Sequence, residues 1–186
     1  MSASIVYGTR YGATKGNADL IAQILQEEKV DVKIVNAKEE NVIDISEYGF
    51  IVVGSGMAMG NWVGQAEDFL KKFHKDLEDK RGCLVYSSLK PVEEIAGKTG
   101  AVARTRRIGL DDKILKYHLK PISGGFFGGV SDYNKMSFLT RKAMEIGYKL
   151  QLQQNGFKEV APGVYDLRNW DEIQSWAREL AQKAKE

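Results

Sequence analysis

The sequence predicts an α/β domain: a doubly wound, mainly parallel sheet with helices on both faces. Three observations lead there. Five short apolar runs, Ser4–Tyr7, Val30–Val35, Phe50–Val53, Cys83–Tyr86 and Ile122–Phe127, alternate with amphipathic segments. Four of the five lack polar alternation, as strands covered on both faces do. The resulting order, β-α-β-β-α-β-β-α, closes through right-handed crossovers that put helices on both sides of one sheet. At 186 residues, 43% hydrophobic and 28% charged, the chain fits a single domain over residues 1–186 with a full core.

Taken in order, the first run is short and buried, and Ala18, Ile21, Ala22 and Leu25 behind it follow helical spacing. In the second run Val30, Val32 and Ile34 alternate with Asp31 and Lys33, which predicts an edge strand. The third run leads into a helix with Ala66, Phe69, Leu70 and Phe73 on one face. After the fourth, residues 88–112 have no sustained period and read as an insertion, followed by a short helix near Leu110–Leu119. Beyond the fifth, Leu139, Ala143, Ile146 and Leu150 mark another helix face. The last helix carries Trp170, Ile173, Ala177, Leu180 and Ala184, introduced by Asn169 with Glu172 three residues on, close to a capping box.

No apolar run approaches the roughly 20 residues of a bilayer span. The opening residues lack the pattern of a secretory signal, so a cytoplasmic location is expected. The net charge of +2 is too small to imply nucleic acid. It is unevenly spread: residues 91–150 carry 11 basic and 6 acidic groups, with Lys98, Arg104, Arg106, Arg107, Lys113, Lys116 and Lys120 opposed locally by Asp111 and Asp112. Such a cluster is either a solvated face or a contact for an anionic partner, including a peripheral membrane contact through residues 98–120. The lone Cys83 reads as a buried hydrophobe. His74, His118 and one cysteine make no metal-ligand set, and without a G-x-S-x-G elbow hydrolase chemistry has no foothold.

The chemistry-bearing stretch is IVYGTRYGATKGNADLIA: a buried strand, a loop rich in glycine and hydroxyls, then a helix. Glycines let a backbone approach closely, and amides at a helix start favour an anion. There is no GxGxxG after this strand. The single GKT, Gly97–Thr99, has Val92 where a P-loop needs its first glycine, so neither dinucleotide nor P-loop binding is indicated.

Residues 9–14, T-R-Y-G-A-T, resemble the phosphate loop of the flavodoxin family. That resemblance implies a flavodoxin-like five-stranded parallel sheet of order 2-1-3-4-5, here with an insertion after strand 4. It also implies noncovalent FMN, whose phosphate Thr9, Arg10, Tyr11, Gly12, Ala13 and Thr14 would cradle. Such a sheet binds its ligand at the switch between strands 1 and 3. By resemblance, Ser55, Gly56, Met57, Ala58, Met59, Gly60, Asn61 and Trp62 would lie beside the isoalloxazine, and Ser87, Ser88 and Leu89 would meet its pyrimidine edge. GGFFGG, residues 124–129, would close the same pocket. Within the family, Gly8-Thr9-Arg10, Ser87 to Pro91, Phe127-Gly128-Gly129 and Val164-Tyr165 followed by Trp170-Asp171-Glu172-Ile173 are similar to menaquinone-dependent protoporphyrinogen dehydrogenases.

The resemblance thus implies a redox protein passing electrons through FMN to a partner protein or quinone, with no catalytic side chain required. The alternatives are a quinone-dependent flavoenzyme acting on a porphyrinogen and a flavin-free partner-binding domain. The neutral-to-basic charge balance should make a bound flavin easier to reduce than in the very acidic flavodoxins that serve as soluble carriers.

Overall fold

The computed structural model describes residues 1–58 and 60–185; Met59, the side chain of Ala58 and Glu186 lie outside the description. Its centre is a parallel sheet of β1 (Ser2–Gly8), β2 (Asp31–Asn36), β3 (Phe50–Ala58), β5 (Arg81–Ser88) and β6 (Ser123–Gly128). The strand order is β2-β1-β3-β5-β6, with the two-residue β4 (Asn61–Trp62) folded back antiparallel on β3. Once that short hairpin arm is set aside, the order is the expected 2-1-3-4-5.

Alternate residues of each central strand feed opposite layers, which is why the strand sequences show no polar alternation. Ile5, Val52, Val85 and Phe127 face α1 (Ala13–Glu27) and α8 (Trp170–Lys185). Val6, Val53, Leu84 and Tyr86 face α2 (Gly64–Glu78) and the helical crossover from β5 to β6. The edge strand β2 pairs only with β1 and leaves Asp31 and Lys33 exposed, as its alternation predicts. Asn169 caps α8, accepting from the Glu172 amide at 3.1 Å. Trp170 departs from the predicted stripe: it is half-exposed and lies under the Arg168 guanidinium.

Two expectations are corrected. Residues 88–112 are not an irregular insertion but the crossover itself, folded as α3 (Lys90–Ile95), α4 (Thr99–Arg106), a π turn (Arg107–Asp111) and α5 (Asp112–Lys116). The addition to the sheet comes later, between β6 and α8. It comprises β7 (Val130–Asp132), α6 (Phe138–Met144), a π turn (Glu145–Lys149), α7 (Leu150–Gln154), β8 (Glu159–Ala161) and β9 (Val164–Asp166). These strands form a separate antiparallel sheet, β7-β9-β8, over a small core of Val92, Tyr133, Leu152, Tyr165 and Leu167. Among the described residues no helix is long and apolar enough to cross a membrane.

Candidate functional site

Strand β1 ends at Gly8, where an added Cβ would stand 2.9 Å from that of Ala66, so the strand end and α2 pack too closely for a side chain. The chain then turns through residues 9–12. Thr9 Oγ1 accepts the Gly12 amide at 2.9 Å, and Gly12 takes a positive φ of 92° that favours glycine. Helix α1 starts at once, with no side chain capping it and no acid in its first turn. Its first amides therefore point out of the loop with their partial positive charge uncompensated.

Thr14, in that first turn, is almost fully buried, and among the described residues its Oγ1 has no hydrogen-bond partner. It is tucked against β3, where a Cβ on Gly56 would come within 3.0 Å of the same oxygen. An orphaned hydroxyl at an uncapped helix start is what a bound oxyanion would satisfy.

These groups open onto a cavity of about 180 Å³ at the C-terminal ends of β1, β3 and β5. Thr9, Arg10, Tyr11, Ala13 and Thr14 line one side, Gly56, Met57 and Gly60 another, and Ser87, Ser88 and Leu89 a third. The structure thus brings together residues from all three predicted segments at the strand 1/strand 3 switch. Of the element predicted to close the pocket, Gly129 lines it.

Other predicted residues stand elsewhere. Ser55 is buried behind the cavity, accepting from the Val63 amide at 2.9 Å and donating to the Gly56 carbonyl. Trp62 is a core residue and not part of the lining: its Nε1 donates to the Gly109 carbonyl at 2.6 Å, and its ring stacks on Tyr86 at 6.5 Å. Asn61 and Gly12 do not line the cavity either, and Met59 and the side chain of Ala58 fall outside the described residues.

Three contributions lie beyond the residues predicted from sequence. Asn17, fully buried on α1, donates through Nδ2 to Ser87 Oγ at 2.9 Å and ties the start of α1 to the end of β5. Its signal is a polar residue within the apolar stripe of α1. Arg168, held by both Asp166 oxygens at 2.8 and 2.6 Å, sits where a Cβ on Gly16 would strike it, and so docks the added segment onto α1. That segment supplies the fourth cavity wall, with Val130, Ser131, Met136, Thr140 and Met144.

The basic cluster is less free than its sequence suggests. Glu67 on α2 accepts from Lys113, from Lys116 at 2.7 Å and from Tyr117 at 2.7 Å. Burial alone would raise its carboxyl, but these donors outweigh it and hold the group down at about 2. Arg106 pairs with Asp111 at 2.9 Å, and Arg107 approaches Asp112 at 3.9 Å. Burial pushes the Cys83 thiol up and leaves it inert, matching its packing role. Among the described residues no group of His, Cys, Asp and Glu is placed to hold a metal.

A five-stranded doubly wound parallel sheet of order 2-1-3-4-5, with a glycine- and hydroxyl-rich loop at its switch point, is a flavodoxin-type fold. Comparison with known families agrees: the family model described as "Flavodoxin domain" matches residues 4–155, and the chain belongs to that family. Solved structures share the fold at low identity. A flavodoxin from the domain Archaea aligns at 16% identity with a TM-score of 0.56, covering 100% of both chains. A cysteine-to-serine mutant of flavodoxin from Pseudomonas aeruginosa aligns at 10% with a TM-score of 0.57, again covering 100% of both. The Streptococcus pneumoniae TIGR4 flavodoxin gives 18% and 0.53 over 98% of this chain and 99% of its own. A search of curated protein sequences finds no match.

Proposed function

We propose that the chain binds one FMN noncovalently in this cavity and serves as a flavodoxin-type redox protein. The observation that carries the reading is the buried, unpartnered Thr14 Oγ1 beside the uncapped start of α1. There, with Thr9, Tyr11 and the loop amides, the chain offers a phosphate neutral donors and a helix dipole. Met57 and Leu89 offer apolar walls to a flat ring, and Ser87, set by Asn17, offers a hydroxyl. When bound, the isoalloxazine supplies the electron transfer. The residues bind, orient and partly shield it from water; none needs to move a proton.

The test is a visible absorbance spectrum of the purified chain with added FMN, followed by titration of Thr14→Ala. A flavin spectrum perturbed by binding, with affinity about tenfold lower in the variant for loss of one charge-assisted hydrogen bond, supports the reading. An unperturbed spectrum overturns it and leaves a partner-binding domain.

A second reading, a quinone-reactive flavoenzyme of the protoporphyrinogen dehydrogenase type, is favoured by one observation. The added segment walls the cavity with Val130, Met136 and Met144, an apolar surface suited to a small hydrophobic reactant. Quinone-dependent porphyrinogen oxidation that falls in Met136→Lys while FMN stays bound would establish it. Absence of turnover with the flavin in place would exclude it.

A further inference from the structure

Helix α6, its π turn and α7 are divided lengthwise into two apolar faces. The inner one is a row at four-residue spacing: Thr140 and Met144 reach the cavity, and Met144, Tyr148 and Leu152 join the small third core. In a regular α-helix such a row drifts about 40° per step, at 3.6 residues per turn. The wider π turn at Glu145–Lys149 absorbs the drift and keeps the row facing inward. The other apolar row is then turned out. Phe138 is 69% exposed, Leu139 79%, Ile146 85% and Leu150 62%. The described residues place nothing over them.

The same stretch is cationic. Residues 135–154 carry Lys135, Arg141, Lys142 and Lys149 against a single acid, Glu145. Arg141 meets Glu145 at 3.0 Å, Lys135 meets Asp132 at 3.1 Å, and Lys149 comes within 3.8 Å of Glu159. Lys142 lies over the Phe138 ring at 4.8 Å. The Arg141 and Lys149 pairs lie at the surface, where such pairs are weak and give way readily to a phosphate, whereas Lys135, itself exposed, is paired with the buried Asp132.

Large apolar side chains flanked by long cations on one exposed helix face are the composition of a helix that lies in the plane of a membrane interface. We propose that this face, Phe138 to Leu150, is a peripheral contact for an anionic lipid surface. Phe138, Leu139, Ile146 and Leu150 enter the headgroup–acyl boundary, while Lys135, Arg141, Lys142 and Lys149 extend to lipid phosphates. Charge selects the occupant: the four cations outnumber Asp132, Glu145 and Glu159, the acids they meet, so a second copy would bring the same excess of positive charge, whereas an anionic bilayer complements it. A single helix ridge also fits a fluid surface without requiring a matching groove. Because the inner row of the same helix walls the cavity, docking would hold the cavity beside the bilayer. The proposal does not depend on which cofactor fills that cavity.

The experiment is co-sedimentation of the full chain with phosphatidylcholine vesicles, with and without phosphatidylglycerol, at low and high salt. Leu139→Gln with Ile146→Gln is the test variant; both positions are exposed, and far-UV circular dichroism checks that the fold is kept. The expected result is binding to the anionic vesicles only, weakened by salt and about tenfold or more weaker in the variant. Neutralising Arg104, Arg106 and Arg107, which belong to α4 and the π turn after it and not to α6 or α7, should change it by less than the double variant does. Several results would overturn the proposal: no binding to anionic vesicles at low salt, equal binding to both vesicle types, or binding unchanged in the double variant. Self-association abolished by that variant without vesicle binding would instead assign the face to a second copy.

Discussion

Glu67 accepts from three side chains at once, and it joins α2 to α5 across one face of the sheet. Its partner Lys113 is itself buried, so Glu67→Gln would leave a cation facing a neutral amide in a dry place. Removing one partner of such a pair costs on the order of 3 kcal/mol, to be read as a lower midpoint in denaturant with an unchanged slope. A loss below about 0.5 kcal/mol would mean the contact is a solvated surface pair. Asn17 makes a subtler prediction, because it orders Ser87 from behind without lining the cavity. Asn17→Ala should cost about 1 kcal/mol of stability. It should also weaken FMN binding in the proposed site severalfold while Thr14 is untouched. Binding that stays at the level of the unsubstituted chain would reduce Asn17 to a packing residue.

At the scale of elements, the π turn Arg107–Asp111 shows how the crossover is locked. A Cβ on Gly109 would collide with the Tyr86 ring, and the carbonyl of the same residue receives the Trp62 indole. Gly109→Ala should therefore cost about 2 kcal/mol by overpacking and alter tryptophan fluorescence as the Trp62 hydrogen bond is displaced; thermal unfolding and emission spectra check both. This contact also marks the limit of sequence reading. Trp62 and Gly109 are 47 positions apart, so nothing local announces that the indole belongs to the core and not to a ligand. Four of the central strands are legible because burial on both faces leaves them uninterrupted, β2 because its exposed Asp31 and Lys33 alternate with apolar residues, and the loop at residues 9–14 because its glycines and hydroxyls stand out at a strand-to-helix junction. Helix α4 is not, since it buries no residue fully and so writes no stripe. The three-residue strands β7, β8 and β9 are too short for a period to appear. The row Leu139, Ala143, Ile146, Leu150 correctly announces a helix, yet its apolar content points to a core face. The π turn carries a different row inward and leaves this one in water.

For the whole molecule, the shifted acids and phenols set the range over which the fold is stable. Glu67 is held at about 2, well below the ordinary carboxyl value of 4.5, and Asp166 is lowered as well: burial opposes its ionisation, but the Arg168 side chain and amide prevail. A depressed native pKa contributes stability that is complete above the unfolded value and is lost as pH falls through the native one. Stability should therefore decline from about pH 4.5 downward. The tyrosines act in the opposite sense. Burial raises Tyr86, and with help from acidic neighbours it raises Tyr48 to about 12; Tyr7, Tyr117, Tyr133 and Tyr165 are raised too, burial being the main cause in each. Their ordinary value is 10.0, so unfolded chains lose these protons first and stability falls as pH rises past that point. The melting temperature should form a plateau between about pH 5 and 9 with a fall on each side. Phenolate absorbance should report the alkaline side directly: six of the eight tyrosines should ionise only above the ordinary range, in step with unfolding. A smooth titration of all eight near the ordinary value of 10.0, with circular dichroism unchanged, would contradict the burial of Tyr86 and with it the aromatic stack of Trp62, Tyr86 and Phe126 that carries the crossover against the sheet.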